Sequence, residues 1–585
     1  MYLRTVTAKG PGGARYEYLR LVEAYWEKGQ AKQRIVANLG RKDLLAPHLE
    51  TLVRLLGNEK SAGQALVSAG QVDAQQAAVW GPMLVARSLW RELGLEAILD
   101  RCQPSVRKRE TVPLADRVLA LVANRLCQPH SEHGLAAWLE TDFVCDRRGE
   151  RLLPRWKQRG RVRVDLSWLQ NWYRALDQLI RHKAHIEREL FLRLRDLFSL
   201  EAEMVFYDLT STYFQGAGPT PIARFGYSRD SRPRNRQVLV GVVMVNGWPI
   251  AHHVFAGNRH DEQTVAEVLE DLEKRFGLRR VIFVGDRGMV TIDNVELLRQ
   301  RGHGYLVGLK RRRNEEVYRY IESAQGPWEK CPVGIVAGEK ATPPCTRVQE
   351  VAGDQPGVRI FVAHSEEREA YERAMREQSM ERTRVDLEKL KRRVASGRLK
   401  APEKIGEAAA RALNRHHGHR YYGWELREGA FHFFEHPVHL EREKAYEGKY
   451  VIQTEESQLG PVEAVRVYKE LSEVERGFRE LKDIIEMRPI YHRTKPRVEA
   501  HIFVAALAFL LDRALEKKLH AKGVDLSASA ALEALRTIHV VDLKVGQMRK
   551  RGVTAGSSRA RQVLAALAID EREAPAGARQ HESPT

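Results

Sequence analysis

The period of the hydrophobic positions changes several times along the chain, and each change predicts a different kind of element. Tyr16 to Tyr25 and Gln33 to Leu39 are short strand-like runs around the turn Glu27-Lys28-Gly29-Gln30, which predicts a β-hairpin. From about Ala74 to Leu200 apolar residues recur at three- and four-residue spacings, above all in Val79 to Leu99 and Leu166 to Phe198, so helices are expected there. At Glu203 the texture changes again. Glu203 to Leu209 (EMVFYDL) is a short apolar strand, Val238 to Val245 (VLVGVVMV) a second, and Gly247-Trp248 turns into a third, Pro249 to Phe255. Asp261 to Phe276 predicts an amphipathic helix, Arg280 to Val284 a strand, Thr291 to Arg301 a helix and Tyr305 to Leu309 a strand.

Three strands followed by alternating helix and strand is the order of a ribonuclease-H-like fold, a mixed sheet flanked by helices. From about Arg311 the alternation breaks. The stretch to about Tyr446 holds short strand candidates and a highly charged helix, Ser365 to Ala395, in which Met380, Leu387, Leu390 and Val394 follow an a/d spacing with Thr383 between. A surface helix is expected there in preference to a coiled hairpin or a dimer contact. His416, His417 and His419 have no acidic or cysteine neighbour in sequence and are expected in a solvated loop. Lys449 to Thr454 predicts a strand and Val462 to Glu486 a long helix closed by Pro489; Val498 to Lys518 is a further helix with an apolar centre. The tail from Asp570 to Thr585 is expected to be disordered. The expected organisation is a β-rich module over 1–45, a helical DNA-binding region over 46–200, a core in two parts over 201–310 and 447–520, an insertion over 311–446 between them, and a helical region and tail over 521–585.

Composition adds a partner to this outline. Among 585 residues Lys plus Arg exceed Asp plus Glu by 96 − 77 = 19, and a basic excess of that size attracts polyanions, nucleic acid first. Between the two helical runs lies an arginine-rich stretch from Arg147 to Arg163 that includes Arg155 and Arg159, with Trp156 among them. It is either a solvated loop or a phosphate-contacting arm. The start, MYLRTVTAKGPGG, has no apolar core of signal-peptide type, and the longest apolar run, Ile502 to Leu511, stops at Asp512. No membrane association and a cytoplasmic location are expected. The five cysteines form no C-x-x-C pair, which argues against a zinc ribbon or a disulfide framework and suits small core residues.

The chemistry that suits such a chain is cleavage of a phosphodiester, which two Mg²⁺ ions about 3.5–4 Å apart support when a few carboxylates converge on them. Asp208 stands within the first apolar strand, in FYDLT, where an ionised carboxylate is costly unless paired or metal-bound. Asp286 follows directly on the strand VIFVG. Each alone has an ordinary explanation, as a strand-end residue or a turn residue. A third carboxylate has several candidates on the helix VYKELSEVERGFRELK: Glu470, Glu473, Glu475 and Glu480. Tyr468, Glu475, Arg479 and Lys482 fall within roughly 40° of one line along that helix. The same spacing also suits a plain Glu475–Arg479 surface pair, so helical geometry leaves the choice open.

Taken together these residues resemble a known family. The helix matches the signature Tyr, two residues, Arg, three residues, Glu, six residues, Lys at Tyr468, Glu475 and Lys482, with Leu471 at the Arg position. With it come YDLTSTYF around Asp208, GYSRDSRPRNRQ from Gly226, GNRHDEQT from Gly257, GDRG at Asp286 and RPIYH from Arg488. The N-terminal YLRLVEAY and RIVANLGR belong to the same likeness. The chain thus resembles the DDE transposases of bacterial insertion sequences, in the group of the insertion-sequence-four type. The resemblance implies Asp208, Asp286 and Glu475 as ligands of two Mg²⁺ ions, for which Mn²⁺ substitutes, and Tyr468 and Lys482 as contacts to the DNA backbone near the cleaved end. Arg479, on the same face, is expected to replace the missing signature Arg. The loop with Arg224, Arg229, Arg232, Arg234 and Arg236 follows the Asp208 strand and is expected to clamp the DNA backbone. The implied activity is cleavage at the element's terminal inverted repeats and strand transfer into target double-stranded DNA, by a homodimer on paired ends in the bacterial nucleoid. A nuclease that only cleaves and a non-catalytic DNA-binding derivative are the alternatives.

Overall fold

The computed structural model describes residues 2–9, 15–27, 30–41, 72–103, 112–159, 161–198, 203–285, 291–309, 315–331, 346–545, 548–570 and 575. The chain forms two compact units: Met1–Leu190 with Leu481–Met487 and Thr494–Thr585, and Phe191–Glu480 with Arg488–Arg493.

The first unit opens with a three-stranded antiparallel sheet of β1 (Tyr2–Lys9), β2 (Arg15–Glu27) and β3 (Gln30–Arg41). The expected hairpin is β2–β3, and β1 adds a strand to it. After β4 (Val72–Val79) the helical pattern resolves into several short helices. The run Val79 to Leu99 divides into α1 (Gly81–Glu92), with Pro82 in its first turn, and α2 (Leu95–Cys102). Next come α3 (Leu114–Cys127) and α4 (Leu135–Thr141). Nearly every residue of α3 is buried, so it is a core helix rather than an amphipathic one. The arginine-rich stretch contains a small hairpin, β5 (Trp156–Arg159) with β6 (Arg161–Val164). Asp165 then caps α5 (Leu166–Leu179) by accepting the Ser167 N–H at 2.9 Å. A short 3₁₀ turn, Ile180–His182, separates α5 from α6 (Lys183–Phe198).

The second unit is built on a nine-stranded sheet. Its strands begin with β7 (Met204–Tyr213), β8 (Gln237–Val245) and β9 (Trp248–Ala256), an antiparallel meander. All of β8 is buried, which is why QVLVGVVMV reads as continuous rather than alternating. Then α7 (Val265–Phe276), β10 (Ile282–Gly285), α8 (Ile292–Gln300) and β11 (Gly304–Gly308) alternate, and β10 and β11 run parallel to β7. Beyond α9 (Glu315–Ser323) the strands β12 (Glu329–Cys331), β13 (Thr346–Ala352) and β14 (Arg359–Ser365) extend the sheet from the other side.

The charged helix α10 (Glu366–Ala395), capped by Ser365, is not the plain surface helix its composition suggests. Thr383, Leu387, Leu390 and Val394 are buried in a satellite core with α11 (Pro402–Arg415) and the hairpin β15 (Tyr422–Arg427) with β16 (Ala430–Glu435), through Ile405, Ala409 and Phe431. A one-residue-wide apolar seam suffices because its partner is another narrow helix. The histidine loop is also less isolated in space than in sequence: His416 Nε2 lies 3.6 Å from the Asp386 carboxylate of α10.

After α12 (Pro437–Tyr446), β17 (Lys449–Thr454) enters the large sheet between β14 and β11, giving the order β12-β13-β14-β17-β11-β10-β7-β8-β9. Helix α13 (Pro461–Arg479) packs on this sheet through Ala464, Val465, Val467, Leu471, Val474 and Phe478, and a π-helical turn, Glu480–Ile484, follows it. The remaining elements belong to the first unit. Helix α14 (Lys495–Ala521) is buried along most of its length and packs on α3 and α5. It is followed by α15 (Ala528–Leu535), β18 (His539–Val545), β19 (Met548–Val553) and α16 (Ser558–Ala566), with β18 paired to β4. Among the described residues no helix is long and apolar enough to cross a membrane. Most of the tail expected to be disordered lies outside the described residues.

Candidate active site

Asp208 is the one carboxylate on β7, flanked by Tyr207 and Leu209, both buried. Its own position is only partly covered, and its Oδ1 accepts the Leu209 N–H at 2.7 Å. Parallel β10 pairs with β7 from Ile282 opposite Met204 to Gly285 opposite Tyr207. The strand that leads to Asp286 thus ends beside the residue that precedes Asp208. Asp286 itself lies outside the described residues.

Helix α13 packs against both β7 and β10. Its inner face is apolar, and Glu475 and Arg479 stand on its exposed side. On the same helix and the turn after it, Glu470 pairs with Arg466 at 3.3 Å and Glu480 with Arg476 at 3.0 Å. The side chain of Glu473 lies outside the described residues. Tyr468 is half-buried and stacks on Tyr450 of β17 with ring centroids 5.8 Å apart. Its hydroxyl lies over Gly308, where a Cβ would come within 2.1 Å of it, so the last residue of β11 is a glycine for steric reasons. Leu471, at the signature Arg position, is 5% exposed and part of the core. Lys482 is partly buried in the π-helical turn after α13.

The arginine loop after β7 is a built structure. The Arg229 N–H donates to Ser211 Oγ at 2.8 Å, and its guanidinium pairs with Asp261 at 2.6 Å. The Gln237 side-chain amide donates to the carbonyls of Arg232 and Asn235, and Arg236 donates to the Ala217 carbonyl at 3.2 Å. Arg224, Arg232 and Arg234 are exposed. The RPIYH segment, which has no role assignable from its sequence, acquires one in the fold. Arg488 forms an ion pair with the buried side chain of Asp230 in the loop, and Ile490 bridges to Phe214 just past β7. No spacing rule links residues so far apart in sequence, which is why this anchor is visible only in the fold.

The arginine-rich stretch of the first unit divides by role. Arg147 holds Asp100 through two hydrogen bonds, at 2.7 and 2.9 Å, and Asp116 through a third at 3.2 Å. Arg151 donates to the carbonyls of Leu139, Glu140 and Asp142. These two hold the fold together. Arg155 is exposed beside Trp156, whose indole donates to Glu140 at 2.6 Å; Arg159 is in β5, with its side chain outside the described residues.

Residues 202–511, more than half of the chain, match the family model of the transposase DDE domain. The chain belongs to the DDE-domain transposases. Residues 3–66 of this transposase also match the N-terminal domain of the IS1634 family transposases, a range that covers β2, β3 and all of β1 but its first residue. Both matches are to transposases, and the N-terminal one is to a family of insertion-sequence transposases. Comparison with curated proteins gives no match. Membership implies a transposase that acts on DNA at element ends with the help of a divalent metal.

Proposed function

We propose that this transposase cleaves DNA at the ends of its insertion sequence and joins the freed 3′ ends to target DNA, with Asp208, Asp286 and Glu475 as the ligands of two Mg²⁺ ions. The observation that carries this reading is the pairing of β7, which bears Asp208, with β10, whose last residue directly precedes Asp286 in sequence, under the helix that bears Glu475. The sub-order β9-β8-β7-β10-β11, with β7-β8-β9 antiparallel and β10 and β11 parallel to β7, supports a ribonuclease-H-like core. The chain between β11 and β17, with its own satellite core, supports an insertion ahead of the glutamate helix.

The donor set suits the metal, because carboxylate oxygens are the hard ligands that Mg²⁺ and Mn²⁺ take and the site draws on no thiol. When bound, the ions would activate the attacking oxygen and stabilise charge on the leaving one. The chain's own residues do the positioning. Arg229, Arg232, Arg234 and Arg236 clamp the DNA backbone beside β7, and Tyr468, Arg479 and Lys482 hold it along the glutamate helix. Arg155 and Arg159 contact phosphates from the helical region, 46–200, which binds the terminal repeats. The spacing Tyr468–Glu475–Lys482 favours the insertion-sequence-four type, working as a homodimer on paired ends. The test is to incubate the pure protein with its element's ends, target DNA and Mg²⁺ and to map every broken and joined strand. Cleavage followed by joining is expected. Cleavage without joining would reduce the protein to a nuclease, and binding without cleavage to a DNA-binding derivative.

A further inference from the structure

The loop that carries the arginines also presents two aromatic rings to solvent. Phe225 is 61% exposed and Tyr227 79%, among the most exposed large hydrophobic side chains of the second unit. Single exposed apolar residues are ordinary on protein surfaces. These two differ in how they are held and in what surrounds them. Arg224 exchanges backbone hydrogen bonds with Gln237, at 3.1 and 2.6 Å, just before the rings. Gly226, between the rings, lies so close to Gly257 that a Cβ would meet its carbonyl oxygen at 1.9 Å. Just after the rings, the Arg229 N–H is fixed to Ser211, three residues along β7 from Asp208. The backbone that bears the rings is therefore tied down on both sides and in the middle. Each ring has a guanidinium over it: Arg236 at 5.7 Å from the Phe225 centroid and Arg229 at 5.9 Å from that of Tyr227. From Arg224 to Arg236 the loop has five arginines and one acid, Asp230, which is buried against Arg488.

We propose that Phe225 and Tyr227 form a stacking platform for unpaired nucleotides of a DNA strand, with the loop arginines neutralising the phosphates; this rests on the transposase reading above. Residues two apart along a chain are separated by at most about 7 Å, a spacing that one or two splayed bases can meet. Duplex DNA hides its base faces and offers the loop only phosphates, so the rings gain nothing from it. An unpaired end offers both, and base–aromatic stacking tolerates any sequence. The platform would thereby hold a frayed or freshly cut strand by the far end of β7, the strand that carries Asp208.

The test measures affinity of the full-length protein for three probes: a blunt duplex, the same duplex with an unpaired oligothymidine tail, and free oligothymidine. Phe225→Ala with Tyr227→Ala is expected to weaken binding of the tailed and free probes by on the order of tenfold or more and to leave the blunt duplex unchanged. Phe225→Tyr with Tyr227→Phe, which keeps both rings, should behave as the unaltered protein. Equal losses on all three probes, unchanged binding of the tailed probe, or a change in oligomeric state as the sole effect would overturn the platform. If the unaltered protein binds none of the probes, the transposase reading falls and the platform with it.

Discussion

Leu471 stands where the helix signature has an arginine, and its side chain is in the core under α13 rather than on the face that carries Glu475. Restoring the signature by Leu471→Arg would push a guanidinium into an apolar layer without a partner, at a cost of about 3 kcal/mol or more. Chemical denaturation is expected to show that loss, with no gain in strand joining. Helical spacing groups Tyr468, Glu475, Arg479 and Lys482, and the grouping holds for the exposed Glu475 and Arg479. It is incomplete for Tyr468, whose ring belongs equally to the sheet through Tyr450 and Gly308. Sequence spacing gives an angle around a helix axis. It does not give the distance to the layer below, and that distance sets how much of the half-buried Tyr468 side chain is left to face DNA.

Helix α13 is seated on the sheet by contacts that can be broken one at a time. Gly308→Ala would place a methyl against the Tyr468 hydroxyl and is expected to cost about 1–3 kcal/mol. The same change in a Tyr468→Ala background should cost clearly less, a coupling that a double-mutant cycle of unfolding free energies detects. A separate anchor, between α8 and the end of β17, lies at Glu455, where Arg299 of α8 donates to both carboxylate oxygens at 2.8 and 2.9 Å. Tyr305 of β11 adds a bond to Glu455 at 2.9 Å, and burial pushes its hydroxyl up to about 12, so it stays a donor. The hydrogen bonds from Arg299 hold the Glu455 carboxyl below its ordinary value. A carboxylate depressed in the folded state contributes stability that is fully present above about pH 4.3, its unfolded value, and that is lost as pH falls through the folded value. Arg299→Met should therefore lower the unfolding midpoint at neutral pH and flatten its fall in acid. An unchanged acid profile would show that the pair does not matter. At this scale the sequence is legible where neighbours are local: β7 to β11 appear in the order expected from the apolar runs. It is less legible where the partner is distant. The sparse seam of α10 cannot be recognised as buried without α11 and the β15–β16 hairpin, which supply its other side.

Across the whole molecule the excess of 19 positive charges points to nucleic acid before any motif does. Charge alone does not say which arginines are for DNA. Arg147 and Arg151 come from the same arginine-rich stretch as Arg155, yet the first two are engaged by carboxylates and carbonyls within the fold. Arg232 and Arg234 are exposed, and we propose that they contact phosphates. DNA binding should weaken steeply with salt, and replacing both with Ala should reduce the slope of log K against log salt by about one for each phosphate that is no longer neutralised. An unchanged slope would remove the loop from the DNA path. The family was legible from the ordered set of motifs and is borne out by the match over residues 202–511. The order of the core strands was legible too, whereas the anchoring of the loop by Arg488 was not, because it joins segments about as far apart in sequence as the core allows.

The proposed chemistry depends most on three carboxylates acting as one site. Single-turnover cleavage of the element's ends in Mg²⁺ tests this directly, with Asp208→Asn, Asp286→Asn and Glu475→Gln compared with the unaltered protein on DNA that each binds equally well. Each substitution is predicted to slow cleavage by at least ~100-fold, since loss of a ligand should cost no less than loss of the groups that merely orient one. Near-normal cleavage by any of the three, with DNA binding intact, would contradict the assignment of that residue and with it the single-site mechanism.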